Sequence, residues 1–148
     1  VQYGAMEVLM TTKHGEIWWT ELGTRDPEKA RAFYSSVMGW TPFVASMKEM
    51  QRPAEPGEES YTVFLMGETP VCGLYDMNVP DVCDDIPAHW MTYFAVDDVD
   101  ASCRQISELG GVIIKEPFEV PKVGRMAVVQ DSTGAVFGLG TPDKDQDC

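Results

Sequence analysis

The sequence predicts an α+β fold made of two βαβββ units, an internal duplication that forms a curved mixed sheet around a central cavity. The order strand–helix–strand–strand–strand occurs twice along the 148 residues. Asp26 and Asp98, each at the start of a helical pattern, are 72 positions apart, and the segments VCGL (71–74) and VFGL (136–139) are 65 positions apart. Such regular spacing is typical of repeated units that are each too small to fold alone.

The first half starts with an aromatic-rich strand predicted at 15–22. Asp26 supplies a helix N-cap, Pro27 suits the first helical position and Gly39 ends the helix. The rest of this half is predicted as a strand at 41–48, an exposed loop at 48–60, and strands at 61–66 and 71–77.

A segment with two prolines and three acidic residues, 78–87, is interpreted as a linker between the halves. The pattern then restarts, with a strand at 89–96, a helix at 97–111, and strands at 112–120, 125–130 and 135–140. We therefore expect a single domain over 14–142, with halves at approximately 14–77 and 88–142.

The composition excludes several classes of partner. Asp and Glu outnumber Lys and Arg by 24 to 11, which gives a net charge of −13, so neither nucleic acid nor an anionic membrane surface is an expected partner. We expect no secretory signal and no membrane span, because no long apolar run is present, and we expect a cytoplasmic protein. Cys72 and Cys103 lie in apolar patterns and are expected to be reduced core thiols, whereas Cys148 is terminal.

Three segments of the chain carry a family resemblance: WTELGTRDPEKARAFYSSVMGW (19–40), YFAVDDVDASCRQISELGG (93–111) and QDSTGAVFGLGTP (130–142). They resemble the vicinal oxygen chelate superfamily, also called the glyoxalase/bleomycin resistance/dioxygenase group, over nearly all of 14–142. The last segment departs from the family's frequent D-P-x-G turn, because Ser-Thr replaces Pro-x. The resemblance implies a paired βαβββ fold with a ligand or metal site inside the cavity.

In metal-dependent members, the resemblance implies His or Glu ligands on the first and last strand of each half. The equivalent first-strand positions here are Trp19 and Met91, and the last-strand positions are Gly73 and Gly138. Glycine has no side chain, an indole offers only an N–H donor, and a thioether suits soft Cu(I). We therefore expect no metal site of the family type, and no cofactor.

Strand alternation predicts which side chains face the cavity. The expected ligand-binding residues are Trp19, Glu21, Gly73, His89, Met91, Tyr93 and Gly138. The two glycines are expected to leave room above the sheet, and aromatic walls with few polar groups suit a partly apolar organic ligand. Glu21 is the candidate catalytic residue, since a carboxyl group buried among aromatic side chains can serve as a general base.

Other interpretations of these residues stay open. Trp19 and Met91 would equally suit a packed core, and Glu21 would equally suit a solvent-facing strand end. Trp18 and Trp90, on the opposite faces, are expected to pack beneath the helices. An unorthodox metal site would have to draw on His14, Glu16, Glu21 and His89, which no spacing rule supports.

Taken together, the residues and the resemblance predict a metal-independent protein that binds a small organic molecule and sequesters a toxic compound or antibiotic. The alternative is a lyase, isomerase or glyoxalase-like enzyme that uses Glu21 as acid or base, or an unpredicted metal; an accessory subunit is a third possibility. The resemblance also implies a homodimer.

Overall fold

A computed structural model describes residues 12–49, 51–80 and 82–143. These residues form two compact units, one of residues 20–90 (unit 1) and one of residues 12–19 with 91–143 (unit 2). The boundaries fall inside the first strand of each predicted repeat. Each unit combines one helix with a mixed sheet, which confirms the α+β class.

Unit 1 contains the first βαβββ order. Its elements are β1 (Ile17–Thr24, of which residues 17–19 belong to unit 2), α1 (Pro27–Met38), β2 (Thr41–Ser46), β3 (Ser60–Met66) and β4 (Thr69–Asp76). The strands are hydrogen-bonded in the order β2-β3-β4-β1, with β1 parallel to β4 and the other pairs antiparallel.

Unit 2 contains the second βαβββ order. Its elements are β5 (His89–Ala95, of which residues 89–90 belong to unit 1), α2 (Val99–Glu108), β6 (Val112–Val120), β7 (Gly124–Gln130) and β8 (Val136–Pro142). The strand order is β5-β8-β7-β6, again with one parallel pair, β5 and β8. Several bounds differ from the sequence prediction by one to three residues; for example, β1 lies two residues later and α2 is shorter at both ends.

The local geometry of the two repeats agrees with a duplication. The Asp26 carboxylate accepts a hydrogen bond from the Lys29 amide at 3.0 Å, and Asp98 accepts one from the Ala101 amide at 3.1 Å, so both predicted N-caps are confirmed. Gly39 ends α1 in the left-handed conformation, at φ 72°. After α2, the glycine with the left-handed conformation is Gly110, at φ 89°.

Each helix covers one face of the sheet in its own unit. In unit 1 the buried cluster is Leu22, Phe64, Cys72 and Leu74, with Ala30, Tyr34 and Trp40 packed against it. In unit 2 the corresponding cluster is Val96, Val99, Cys103, Ala127, Val129 and Leu139. Cys72 and Cys103 are thus buried free thiols, as predicted, while Cys148 lies outside the described residues. Burial raises the pKa of the Cys72 thiol to about 11.

Two irregular segments of unit 1 are held by arginines. In the β2–β3 loop (residues 47–59), Arg52 bridges Glu49 at 3.0 Å and Glu58 at 2.6 Å. In the linker (residues 78–87), the backbone oxygens of Cys83 and Ile86 accept hydrogen bonds from the Arg25 guanidinium. Neither helix of the described chain is long and apolar enough to cross a bilayer.

Candidate functional site

The sheet face of unit 1 that lies opposite α1 carries a carboxylate–tyrosine pair. Glu21 on β1 is paired directly with Gly73 on β4, so both residues face the same side of the sheet. Tyr61 on β3 reaches across that glycine, and its hydroxyl donates a hydrogen bond to Glu21 Oε2 at 2.6 Å. Both side chains are half-buried. This geometry joins two predicted site residues, Glu21 and Gly73, to a tyrosine that the sequence prediction missed.

The Tyr61 ring occupies the space above Gly73. A Cβ atom built at Gly73 would lie 1.7 Å from Tyr61 Oη and 2.4 Å from its Cζ. The expectation that this glycine leaves an open space is therefore wrong, because a phenol ring fills it. A side chain at position 73 and the observed position of Tyr61 exclude each other.

In unit 2 the equivalent glycine is also covered by a tyrosine ring, but this ring belongs to the glycine's own register partner. Tyr93 on β5 is paired with Gly138 on β8, and a Cβ atom at Gly138 would lie 2.1 Å from Tyr93 Cδ1. Tyr93 is only 5% exposed, so the second predicted open space is also filled by a ring. Trp19 and Met91 are half-buried and pack against the cluster that Tyr93 forms with Trp18 and Ala95. Four predicted site residues, Trp19, Met91, Tyr93 and Gly138, thus belong to one packed group.

Trp18 and Trp90, which come directly before the predicted site residues Trp19 and Met91, pack in different places. Trp90 packs on the α1 side of unit 1, where its Nε1 donates to the Tyr34 hydroxyl at 3.2 Å, as predicted. Trp18 does not lie beneath α2. Its ring covers Gly140, where a Cβ atom would lie 1.7 Å from Cζ3, and it joins the cluster of Tyr93. The physical reason is that Gly140 has no side chain, which leaves a surface on which an indole can pack.

His89 lies near the end of β1, on the same sheet face as Glu21. A Cβ atom at Gly23, two residues after Glu21, would lie 3.0 Å from Met77 Sδ and 3.5 Å from His89 Cε1. The ring is half-buried, and its Nδ1 lies 2.8 Å from the Pro87 carbonyl oxygen. Because a carbonyl oxygen only accepts, Nδ1 carries the proton, and in the neutral ring Nε2 is then the acceptor.

Two arginine–carboxylate pairs that include none of the predicted site residues also shift pKa values in the protein. Hydrogen bonds from Arg52 lower the pKa of Glu58 to about 2. In unit 2, Arg125 donates to both carboxylate oxygens of Asp100, at 2.8 and 3.0 Å, and holds the pKa of that carboxyl group below its usual range. These pairs fix the β2–β3 loop in unit 1 and connect α2 to β7 in unit 2.

Two open clefts lie apart from the carboxylate–tyrosine pair. One, of about 320 Å³, lies at the start of α1 in unit 1 between Arg25, Glu28 and Arg31. The other, of about 400 Å³, lies in unit 2 beside Lys13, His14 and Asp97. None of the predicted site residues lines either cleft. Cleft size therefore does not identify the site, and the side-chain chemistry of the sheet faces carries more information.

The donor set does not fit a hard metal ion. Over residues 12–49, 51–80 and 82–143, no group of three or more His, Cys, Asp and Glu side chains is arranged to hold a metal. Trp19 and Met91 supply no oxygen or imidazole donor, and the space above Gly73 and Gly138 is filled by tyrosine rings.

Residues 16–139 match the family described as the Glyoxalase/Bleomycin resistance protein/Dioxygenase superfamily. The chain belongs to this superfamily. The matched residues include every predicted site residue in both repeats, and the match agrees with the βαβββ order of each unit.

Curated relatives are similar over most of this chain. The putative glyoxylase CFP32 of Mycobacterium tuberculosis is 36% identical over 137 residues, which cover 93% of this chain and 48% of that protein. The anthracycline biosynthesis protein DnrV of Streptomyces peucetius is 32% identical over 131 residues, covering 82% of this chain and 45% of that protein. The chain thus spans about half the length of these relatives.

A solved structure supports the fold. The hypothetical protein BH1468 of Bacillus halodurans superposes with a TM-score of 0.60 at 10% identity, over 90% of this chain and 99% of that one. At this identity the similarity concerns the fold and not the chemistry of the site.

Proposed function

We propose that this protein binds a small organic molecule without a metal ion and sequesters a toxic compound or antibiotic. The observation that carries the proposal is that a tyrosine ring lies over each of the two equivalent glycines. Gly73 lies under Tyr61 and Gly138 lies under Tyr93, at the positions where the family resemblance places metal-binding carboxylates. A glutamate at either position would require the ring to leave, so aromatic packing and metal ligation are mutually exclusive there.

The surroundings of Glu21 suit an organic ligand. Phe43, Val63, Gly73 and Glu21 form one row across the sheet of unit 1, because each is the register partner of the next. Phe43 and Val63 are half-buried, like Tyr61 beside them. A few polar groups on a largely apolar and aromatic surface are the usual chemistry of a small-molecule site. The name of the similar protein DnrV, an anthracycline biosynthesis protein, also favours a link to antibiotics.

A second candidate function is an enzyme of the lyase, isomerase or glyoxalase-like type. It is favoured by the short hydrogen bond between Tyr61 and Glu21 and by the Nε2 acceptor of His89 on the same sheet face. In this case Glu21 would take or give the proton, with Tyr61 as its hydrogen-bond partner. The similar protein CFP32 is named a putative glyoxylase, which agrees with this alternative.

The two candidates make different predictions for one experiment. The protein is titrated with aromatic antibiotics and with hemithioacetals of 2-oxoaldehydes, and binding is followed by quenching of tryptophan fluorescence. Each compound that binds is then incubated with protein and examined by mass spectrometry for conversion. Binding without conversion supports sequestration. Conversion that Glu21→Gln abolishes, while affinity is retained and Glu108→Gln has no effect, supports the enzyme.

Three further features belong to the proposal. The chain acts as one domain over 14–142, it forms a homodimer, and it works in the cytoplasm. Size-exclusion chromatography with light scattering checks the second feature, because a mass near 16.4 kDa would exclude the dimer.

A further inference from the structure

The internal duplication supplies a control for the role of the carboxylate–tyrosine pair. With the offsets of 72 and 65 residues, Glu21 corresponds to Tyr93 and Tyr61 corresponds to Met126. Tyr93 and Met126 both belong to the apolar cluster of unit 2. The same strand positions are therefore filled by a hydrogen-bonded glutamate and tyrosine in one repeat, and by a tyrosine and a methionine in the other.

This difference between the repeats indicates whether the fold itself requires an acid at this position. Moving a carboxylate out of water is costly even when it is hydrogen-bonded, whereas an aromatic ring and a thioether gain free energy on burial. Unit 2 shows that the same strand order and register form without an acid at this position. The fold does not require Glu21, so its presence beside Tyr61 calls for a functional explanation.

We propose that Glu21 and Tyr61 recognise a ligand head group that donates hydrogen bonds, a hydroxyl or an ammonium group, carried on an apolar or aromatic body. The inference rests on the proposed function and specifies its ligand class. A carboxylate oxygen accepts hydrogen bonds, so the head group that matches Glu21 is one that donates them, such as a hydroxyl or an ammonium group. Phe43 and Val63, in the same row, provide the apolar contact for the body of the ligand.

Charge excludes the opposite class of ligand. The chain carries a net charge of −13, and the pair itself contains an acid, so an anionic head group is repelled both at long range and on contact. Tyr61 acts as a positioning residue, because its hydroxyl holds one carboxylate oxygen at 2.6 Å and thereby orients the other. Removal of the Tyr61 hydroxyl should weaken binding less than removal of the Glu21 charge.

Four matched probes test the inference on the wild-type protein. Benzylamine, benzyl alcohol, toluene and benzoate share one ring and differ in the head group. Their dissociation constants are measured by ligand-observed NMR at one ionic strength. We expect the amine and the alcohol to bind at least fivefold more tightly than toluene, and benzoate to bind most weakly. The amine and alcohol arms distinguish a cationic from a neutral donor.

Variants then locate the effect. Hydrogen bonds to charged groups are stronger than those between neutral groups, so Glu21→Gln should weaken benzylamine binding at least about tenfold. Tyr61→Phe should weaken it by about two- to tenfold. The matched controls are Glu108→Gln, at the exposed end of α2, and Tyr34→Phe, on the opposite sheet face, and both should leave the affinity unchanged.

The outcomes separate this inference from the proposed function. If benzoate or toluene binds as tightly as the amine and the alcohol, or if Glu21→Gln binds benzylamine like wild type, the head-group inference is overturned while small-molecule binding stands. If none of the four probes binds up to its solubility limit, both are overturned. The probe series on wild type decides the question even if Glu21→Gln does not fold.

Discussion

The two equivalent glycines should respond differently to the same substitution, alanine. At Gly138 the new Cβ atom meets Tyr93 Cδ1 at 2.1 Å, Cε1 at 2.3 Å and Cγ at 2.7 Å, far inside ordinary contact distance. Cγ is the ring atom next to the backbone, and Tyr93 is only 5% exposed, so the ring cannot turn away unless β5 moves. Overpacking of a core costs about 1–3 kcal/mol, and we expect Gly138→Ala near the upper end, about 3 kcal/mol.

At Gly73 the clash involves the far end of the ring. The nearest atoms are Tyr61 Oη at 1.7 Å and Cζ at 2.4 Å, and this side chain is half-buried, so it can swing outward. The main loss is then the hydrogen bond to Glu21, which contributes about 1.5–3 kcal/mol when fully buried and less at partial exposure. We expect Gly73→Ala to cost about 1–2 kcal/mol, clearly less than Gly138→Ala.

Urea unfolding of the single and double variants measures these costs. Because neither Gly73 nor Gly138 has a positive φ, alanine adds no left-handed backbone strain at either position, and the measured costs report packing. In a Tyr93→Ala background, Gly138→Ala should cost less than about 1 kcal/mol, because Cγ, Cδ1 and Cε1 of Tyr93, the atoms that the new Cβ meets, are all gone. Equal costs for Gly138→Ala in the two backgrounds, or a larger cost at Gly73 than at Gly138, would refute the packing argument.

Three further predictions concern the loop, the linker and the thiols. Arg52 lowers the pKa of Glu58 from 4.5 to about 2, so the stabilisation of the β2–β3 loop is present above pH 4.5 and is lost as the pH falls towards 2. Amide hydrogen exchange in the loop of the wild-type protein should therefore rise over this range. In Glu58→Gln the exchange should already be high above pH 4.5 and should not rise further. Arg25→Met should speed proteolytic cleavage within the linker, because two backbone carbonyls lose their donor, and unchanged cleavage would show that Arg25 does not hold it. Exposed Cys83 should react at once with Ellman's reagent, whereas Cys72 should react only on unfolding; rapid labelling of Cys72 in the native protein would contradict its burial.

Local signals were sufficient to predict most elements of the fold. Asp26 and Asp98 cap their helices as predicted, because an aspartate before a helical pattern satisfies amides that the helix leaves unpaired. Glu21 pairs with Gly73 and Tyr93 pairs with Gly138, and the two sequence offsets of 72 and 65 residues relate the first pair to the second. The repeat therefore predicted which positions are equivalent, even though it could not predict what covers them.

The sequence could not identify Tyr61 because a β-bulge sets the register of β3 against β4. Next to the turn, Met66 pairs with Thr69 and Leu65 with Pro70, a register that would place Thr62 opposite Gly73. The register shifts between Phe64 and Leu65, so Val63 pairs with Gly73 instead. A shift of one residue reverses the facing of every side chain, and it brings Tyr61 to the side of Glu21.

The packing of Trp18 also could not be predicted from the local sequence. Strand alternation predicted that Trp18 and Trp19 face opposite sides, with Trp18 beneath a helix, but its ring packs on Gly140 of β8. That contact depends on a residue more than a hundred positions away and on the absence of a side chain there. Local periodicity carries no information on such long-range packing.

Metal content tests the central claim, metal-independent binding, most directly. The protein is purified without a histidine tag or chelator, and its Zn, Ni, Mn and Fe are measured by elemental analysis alongside native mass spectrometry. We expect far less than one metal ion per chain, and a mass of the protein alone or with an organic adduct. One bound metal per chain, retained by wild type and lost in Glu21→Gln but not in Glu108→Gln, would contradict it.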